Sequence, residues 1–462
     1  MRRVVPGRRP EIIWRFGGVW TRLGPPTSRQ VPPVPAWRGA RPHPRPATRQ
    51  FHQLISRRRL TVAAVASAAL FACAAPAFAA PSPDLQVTGA SLFVAGTATP
   101  LWSENGNAEL AIASTTKLMT ALVVLQHVTN LNKVFTQGTW VDQPGDSQIG
   151  LVPGERMTVG DLLVALMLPS ADDAAADLAY NVGHGSTTRF VAMMNAEARK
   201  LGLDHTHYTT PSGLDTPGNY SSPDDLVRLA DYDMSHSAFF HHTVNLRSAR
   251  ITVGDDPLRV TNTDTLLGAV PWIHGVKTGH TLDAGYVLVS EGTRDGFTLT
   301  ASVLGTDSEA ARNANALALL DYGFNEYHLI RPLRRGAALG WLPVAYSSAH
   351  ATVVIGRSFA DVVPDSAHVV LKHKLPKQLS GPIAAGAVVG HVRVLVSGKV
   401  VADVPLLLRR ALPAVSTMTK VSQALGGPFT LIFVVLALGA AAVLTARRRH
   451  PRVLAAGHSR QR

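Results

Sequence analysis

A serine and a lysine stand three residues apart in Ser114-Thr115-Thr116-Lys117, at the start of an apolar segment. Residues i and i+3 share one helix face, so the hydroxyl and the amine can meet. A desolvated lysine can lose its proton, which an arginine cannot, and it then becomes a base beside a nucleophile. Only nine of the 45 basic residues are lysines, so lysine marks positions where the amine itself matters. Alone, the pattern equally fits a helix-start serine followed by a surface lysine.

A second motif, Lys277-Thr278-Gly279, lies in the glycine-containing segment His274–Tyr286. Neighbouring Lys and Thr side chains on a strand edge can hold a carboxylate, and the glycines indicate backbone that another group approaches closely. The simpler interpretation is a turn with a solvated lysine. By itself the motif therefore does not establish a binding site, and a functional role needs support from other residues.

A third motif, Ser170-Ala171-Asp172, follows Pro169 and precedes an alanine-rich stretch. A serine followed by acids is also a common helix start, so its simpler interpretation is an N-cap. A functional role for this motif therefore depends on the other two motifs.

The elements that must position these residues alternate between helical and strand-like patterns over residues 80–330. The patterns predict strands at 89–101 and 285–305, and helices at 114–128, 159–180, 186–201 and 308–322. This mixture predicts an α+β domain with a largely antiparallel sheet. Short apolar runs separated by Gly, Pro and Ser predict a small β domain from 331 to 410.

The order and spacing of the three motifs resemble the penicillin-binding serine D-Ala-D-Ala carboxypeptidases of low molecular weight. The resemblance covers roughly residues 85–410 and includes further segments: Phe190–Asn195, Leu201–Leu203, Thr206–Tyr208, Gly213–Asp215 and Pro382–Leu407. It implies a β-lactamase/transpeptidase-like domain, in which an antiparallel sheet with helices is joined by a helical subdomain, followed by the small β domain. It also implies two partners, the stem peptides of peptidoglycan and the β-lactam antibiotics, and no metal or cofactor.

The resemblance also implies a role for each motif. Ser114 would be the acyl nucleophile, Lys117 its general base and Ser170 a proton relay. Backbone N–H groups of Ser114 and His280 would form an oxyanion hole, whose donors typically stabilise the intermediate by about 3 kcal/mol each. The substrate-binding residues would be Lys277, Thr278, Gly279, His280, Asp172 and Arg312. Attack on the D-Ala-D-Ala amide would release D-alanine and leave an acyl-enzyme that water hydrolyses.

The chain departs from this family at Asp172, where an Asn is usual, and Asp264 is a second acid where Asn is frequent. An amide donates and accepts, whereas an ionised carboxylate only accepts. A carboxylate beside Lys117 would favour the charged amine and weaken it as a base. The expectation is a site that is tuned differently or impaired.

Three other functions stay open at this point. A serine β-lactamase shares the nucleophile chemistry, but the β domain and the absence of a convincing Glu-based deacylation motif count against it. A wall-binding module without activity would explain Asp172, but not the intact Ser114, Lys117 and Lys277. An endopeptidase that cuts cross-links between wall peptides would use the same residues.

The net charge of +14 lies at the two ends of the chain, which leaves a net of −5 for residues 60–446. This distribution gives no basic face for nucleic acid, so none is expected as a partner. Three arginines and an apolar stretch ending in Ala-Phe-Ala predict a signal peptide at 57–79, which contains the only cysteine. The Pro- and Arg-rich residues 1–56 are predicted to be disordered or a mis-annotated extension.

The C-terminal end predicts a membrane anchor. Residues 429–446 carry no charge and are followed by Arg447, Arg448 and Arg449, which should remain cytoplasmic. The predicted order is therefore a signal peptide, a serine carboxypeptidase domain (80–330), the β domain (331–410), a linker (411–428), a transmembrane helix (429–446) and a basic cytoplasmic tail (447–462). The expected location is the cell membrane, spanned once, with the catalytic domain extracytoplasmic.

Overall fold

The computed structural model describes residues 82–138, 147–424 and 428–448. The chain divides into two units after Cys73, and every described residue lies in the second, Ala74–Arg462. The predicted extension, the predicted signal peptide and the tail beyond Arg448 lie outside the described residues.

The described residues between 82 and 326 build a five-stranded sheet and a group of helices. The elements in chain order are β1 (Gly89–Val94), β2 (Pro100–Glu104), a 3₁₀ turn (Ala113–Thr116), α1 (Lys117–His127), β3 (Val134–Thr136), β4 (Arg156–Thr158), α2 (Val159–Met167), α3 (Asp172–Val182), α4 (Thr187–Lys200), α5 (Pro223–His236), α6 (Ala238–Val244), β5 (Ser248–Val253), β6 (Asp256–Thr261), β7 (Ile273–Thr281), β8 (Gly285–Arg294), β9 (Phe297–Thr306) and α7 (Glu309–Glu326).

The sheet has the order β2-β1-β9-β8-β7, and its neighbouring strands are antiparallel, as the sequence predicts. Strand β9 shows how both faces are covered, because alternate residues point to opposite faces. Leu299 packs in the apolar cluster that contains α7. The Thr300 hydroxyl on the other face donates to Asp231 of α5, and Ser302 donates to the Pro223 carbonyl at 2.8 Å. The sheet is therefore the middle of three layers.

The helices α1 to α6 form the larger apolar core together with one face of the sheet. One expectation fails here, because residues 159–180 form two helices instead of one. Helix α2 ends at Met167 and α3 begins at Asp172, and Ser170 between them has φ +66°. Leu168 keeps helical backbone, but Pro169 has no N–H with which to continue the helical hydrogen bonds, and the positive φ of Ser170 turns the chain away. The break places Ser170 and Asp172 at a helix junction.

The region after α7 is built from strands, as predicted, and it begins at Tyr327 directly after that helix. Its elements are β10 (Tyr327–Leu333), β11 (Ala338–Pro343), β12 (His350–Ile355), β13 (Phe359–Pro364), β14 (Val369–Lys374), β15 (Val388–Val396) and β16 (Lys399–Leu408). One sheet has the order β11-β12-β16-β15-β14, and β10 pairs with β13. Alternate residues of β15 and β16, including Val392 and Val404, fill a separate small core.

Two helices follow the β region. Helix α8 (Thr417–Ala424) lies within the predicted linker, and α9 (Pro428–Arg448) covers the predicted membrane span. Within the described ranges, no helix is both long enough and apolar enough to cross a membrane. The predicted span is therefore not shown.

Candidate active site

Ser114 lies in the 3₁₀ turn that leads into α1, and two glycines make room for that turn. A Cβ on Gly213 would lie 1.9 Å from the Ala113 carbonyl oxygen, and Gly213 has φ +91°. A Cβ on Gly279 would lie 3.1 Å from the Ser114 nitrogen. Ala113 itself has φ +47°, a conformation that non-glycine residues rarely adopt. Strand β7 and the loop at 213 therefore hold the serine in a fixed and sterically demanding position, where it is half-buried.

The Lys117 side chain is fully buried, and its amine lies among oxygen atoms. The Nζ atom is 2.8 Å from Ser114 Oγ, 2.6 Å from Asp172 Oδ1 and 2.8 Å from the Ser212 carbonyl oxygen. The expected meeting of Ser114 and Lys117 across one helical turn is thus present. No sequence motif indicates the contact with Ser212, although the neighbouring Gly213 belongs to a segment that resembles the family.

Asp172 and Asp173 begin α3, and both bind the segment 147–151. Asp172 Oδ2 accepts from the Ser147 N–H at 2.9 Å, in addition to its ion pair with Lys117. Asp173 accepts from three consecutive backbone N–H groups, of Ile149, Gly150 and Leu151. Burial raises the pKa of Asp173 in spite of these donors. The two acids therefore fasten this segment beside the lysine.

Ser170 and Lys277 form a second hydroxyl–amine pair. Lys277 Nζ donates to Ser170 Oγ and to the Thr278 carbonyl, each at 2.9 Å, and both side chains are buried. Burial, and next the charge of Lys117, hold the pKa of Lys277 well below its usual range. The positive φ of Ser170 aims the hydroxyl toward β7 from the junction of α2 and α3.

The remaining predicted residues lie along β7 and beside it. The Thr278 hydroxyl shares a 2.6 Å hydrogen bond with Thr263, which sequence reasoning missed. The His280 ring lies against Tyr286, with centroids 4.0 Å apart, at the exposed end of the strand. Burial lowers the pKa of Arg312, which is only 4% exposed and whose charge acts on Lys277.

Asp264 is also buried near these cations. Burial raises its pKa, and the charges of Arg312 and Lys277 oppose that rise. Its backbone N–H donates to Asn262 Oδ1, and its own Oδ1 accepts from the Leu266 N–H at 3.0 Å. Asp264 therefore acts on Lys277 through its charge, whereas Asp172 contacts Lys117 directly and its charge acts on Lys277 as well.

This arrangement can perform nucleophilic acyl transfer. A half-buried hydroxyl lies beside a buried amine, a second hydroxyl lies beside a second amine, and cations gather where a carboxylate would bind. In the ranges that the structure describes, no group of three or more His, Cys, Asp or Glu side chains is arranged to hold a metal ion.

Family models match nearly the whole of this folded region. A model described as D-alanyl-D-alanine carboxypeptidase matches residues 77–308, and one described as the C-terminal domain of penicillin-binding protein 5 matches residues 327–414. The D-alanyl-D-alanine carboxypeptidase of Streptomyces sp. (strain K15) is 35% identical over 289 residues, which is 58% of this chain and 98% of the relative. DacC of Escherichia coli, also a D-alanyl-D-alanine carboxypeptidase, is 29% identical over 75% of this chain and 90% of its own length.

Solved structures agree with these matches. Penicillin binding protein 6B from Escherichia coli superimposes with a TM-score of 0.58 at 28% identity, covering 71% of this chain and 97% of that one. The Streptomyces K15 DD-transpeptidase has a TM-score of 0.51 at 33% identity, covering 53% of this chain and 99% of that one. The predicted family is therefore confirmed: the chain belongs to the S11 peptidases, the serine-type D-alanyl-D-alanine carboxypeptidases among the low-molecular-weight penicillin-binding proteins.

Proposed function

We propose that the protein removes the terminal D-alanine of peptidoglycan stem peptides through an acyl-enzyme on Ser114. The observation that carries this proposal is the contact of 2.8 Å between Ser114 Oγ and Lys117 Nζ inside a buried, lysine-rich site. Family membership supports the reaction type. The particular residues and their roles are part of the proposal.

In the first step the Ser114 oxygen attacks the carbonyl carbon of the penultimate D-alanine, while the amine of Lys117 takes the hydroxyl proton. The Ser114 and His280 backbone N–H groups donate to the oxyanion, a stabilisation typically worth about 3 kcal/mol for each donor. The C–N bond then breaks, and the leaving nitrogen receives a proton through Ser170. Water later attacks the ester, and Lys117 again removes the proton. The products are free D-alanine and the shortened peptide.

Lys277 is proposed to bind the terminal carboxylate together with Thr278 and Arg312. An anion that arrives beside a buried amine favours its ammonium form, and the two charges then stabilise each other. The lowered pKa of Lys277 supports a site that is ready to accept one negative charge. This charge preference would select peptides with a free C-terminus.

Transfer of the acyl group to an amine is a second candidate outcome of the same chemistry. The Streptomyces K15 relative bears the name carboxypeptidase as a curated protein and DD-transpeptidase as a solved structure. An endopeptidase that cuts cross-links between wall peptides would also use the acyl-enzyme. Release of D-alanine from a peptide ending in D-Ala-D-Ala, with and without an added amine acceptor, separates hydrolysis from transfer.

The direct test of the proposal is the intact mass of the purified chain over time after benzylpenicillin is added. We expect a long-lived adduct in the wild type and none in Ser114→Ala. An adduct that disappears as penicillin is consumed would instead indicate a β-lactamase. No adduct and no D-alanine release would favour a wall-binding protein without activity.

We further propose that the C-terminus anchors the protein in the cell membrane, with the catalytic domain extracytoplasmic. The support is the uncharged sequence of 429–446 with arginines after it, together with exposed apolar side chains along α9 such as Phe433, Leu436 and Leu444. Full-length chain should remain in the membrane pellet after carbonate washing, and chain truncated after residue 424 should not. Recovery of both in the supernatant would contradict the anchor.

A further inference from the structure

Three oxygen atoms of described residues lie within hydrogen-bond distance of the Lys117 amine, and their hydrogen-bonding roles differ. The Ser212 carbonyl and the ionised Asp172 carboxylate can only accept, whereas the Ser114 hydroxyl can donate or accept. An ammonium at Lys117 donates to all three. A neutral amine donates to Asp172 and Ser212, and its lone pair then points at Ser114. The two obligatory acceptors thus aim the base at the nucleophile.

The Asp172 carboxylate also favours the form of Lys117 that cannot act as a base. The ion pair is 2.6 Å long and both side chains are at most 5% exposed. An opposite charge at this distance favours the ammonium, and burial limits screening by solvent and salt. The carboxylate that orients the neutral amine therefore also makes the neutral form of Lys117 a minor fraction of the enzyme.

We propose that Asp172 is a positioning residue that sets the pH dependence of acylation, because it holds Lys117 as an ammonium in the resting enzyme. This inference rests on the proposed function. Lys117 first loses a proton to solvent. The Ser114 O–H then gives its proton to the amine as the new C–O bond forms, and that proton finally reaches the leaving nitrogen as the C–N bond breaks. The acylation rate follows the fraction of enzyme that carries the amine.

A second contact explains why an amide would behave differently at this position. Asp172 Oδ2 accepts from the Ser147 N–H, so both carboxylate oxygens face donors. An Asn has one oxygen. With that oxygen on Lys117, the amide still accepts from the amine but brings no charge that favours the ammonium, and the Ser147 N–H loses its acceptor. Asp172→Asn should therefore shift Lys117 toward the neutral form.

The other charges around Lys117 do not replace this control. Lys277 faces it from β7, and its own pKa is held low by burial and by the charge of Lys117. Asp264 and Arg312 act on Lys277 with opposite signs. Among the residues that the structure describes, Asp172 is an acid in direct contact with the Lys117 amine, and its charge therefore enters the charge balance beside Ser114.

The test is the second-order rate constant for acylation of the full chain by benzylpenicillin, followed by intact mass from pH 6 to pH 10. We expect the wild-type rate to rise about tenfold per pH unit through neutral pH. In Asp172→Asn the rate should level off one to three pH units lower, a range typical of a close opposite charge, and be roughly 10- to 1,000-fold higher at pH 7.

Asp173→Asn is the matched control, because it removes one carboxylate from the same helix start and the same loop contact but does not touch Lys117. Loosening of the segment 147–151 can lower its rate, but the pH at which the rate levels off should stay at the wild-type value. A wild-type rate that is flat from pH 6 to pH 9 overturns the inference even if Asp172→Asn fails to fold. An unshifted profile in a folded Asp172→Asn overturns it too. Absence of any wild-type adduct, together with absence of D-alanine release, would overturn the proposed function as well.

Discussion

Glu291 on β8 is a buried acid whose removal should stabilise the protein at alkaline pH. It is 6% exposed and faces the α5 side of the sheet, near Asp231. Burial, and next the charge of Asp231, raise the pKa of Glu291 from 4.5 to about 7. A shift of this size corresponds to about 3 kcal/mol of differential stability between the protonated and ionised forms. Relaxation of the site reduces the figure to roughly 2 kcal/mol.

The sign follows from the direction of the shift. A raised pKa means that Glu291 binds its proton more tightly in the folded state than in the unfolded state. Its contribution to the stability of the fold is therefore favourable at low pH and is lost as pH rises through about 7. Glu291→Gln cannot ionise and escapes this loss. We expect it to raise the free energy of unfolding by about 2 kcal/mol at pH 8 and by little at pH 5.

The measurement is urea-induced unfolding of wild type and variant at both pH values. Glu104→Gln is the control, since Glu104 is an exposed glutamate on β2 of the same sheet. It should change stability by less than about 0.5 kcal/mol at either pH. No gain for Glu291→Gln at pH 8, or an equal gain at both pH values, would refute the electrostatic reasoning.

Three further changes probe the site itself. Gly213→Ala places a Cβ 1.9 Å from the Ala113 carbonyl, so penicillin labelling should fall at least about 100-fold because even small misplacement of the nucleophile is costly. Asp173→Asn leaves backbone donors of the segment 147–151 without a charged acceptor, so that segment should exchange its amide hydrogens faster, with a loss of about 1–3 kcal/mol. Lys277→Gln should weaken acylation by a D-Ala-D-Ala peptide at least about tenfold and retain a folded circular dichroism spectrum; unchanged peptide kinetics would contradict its role in binding.

Much of the fold could be read from the sequence because it follows local patterns. Apolar alternation and the short Gly292–Gly296 turn predicted the hairpin that became β8 and β9. The helix at 186–201 matches α4 to within one residue at each end. The one wrong element, a continuous helix over 159–180, had a visible signal against it in Pro169. Helical periodicity on both sides of the proline outweighed that signal.

The sequence alone determined which side chains could do chemistry, and it determined one contact between them. Ser114 and Lys117 are three residues apart, so local backbone geometry is sufficient to bring them together. The contacts that decide how the site works span 55 residues from Lys117 to Asp172 and 107 from Ser170 to Lys277. They exist because α3 packs against α1 and β7 packs against the 3₁₀ turn that carries Ser114, and no local pattern specifies such packing. Only the tertiary structure decided that Asp172 contacts Lys117 and not Lys277, since a carboxylate acts most strongly on the charge that the fold places nearest to it.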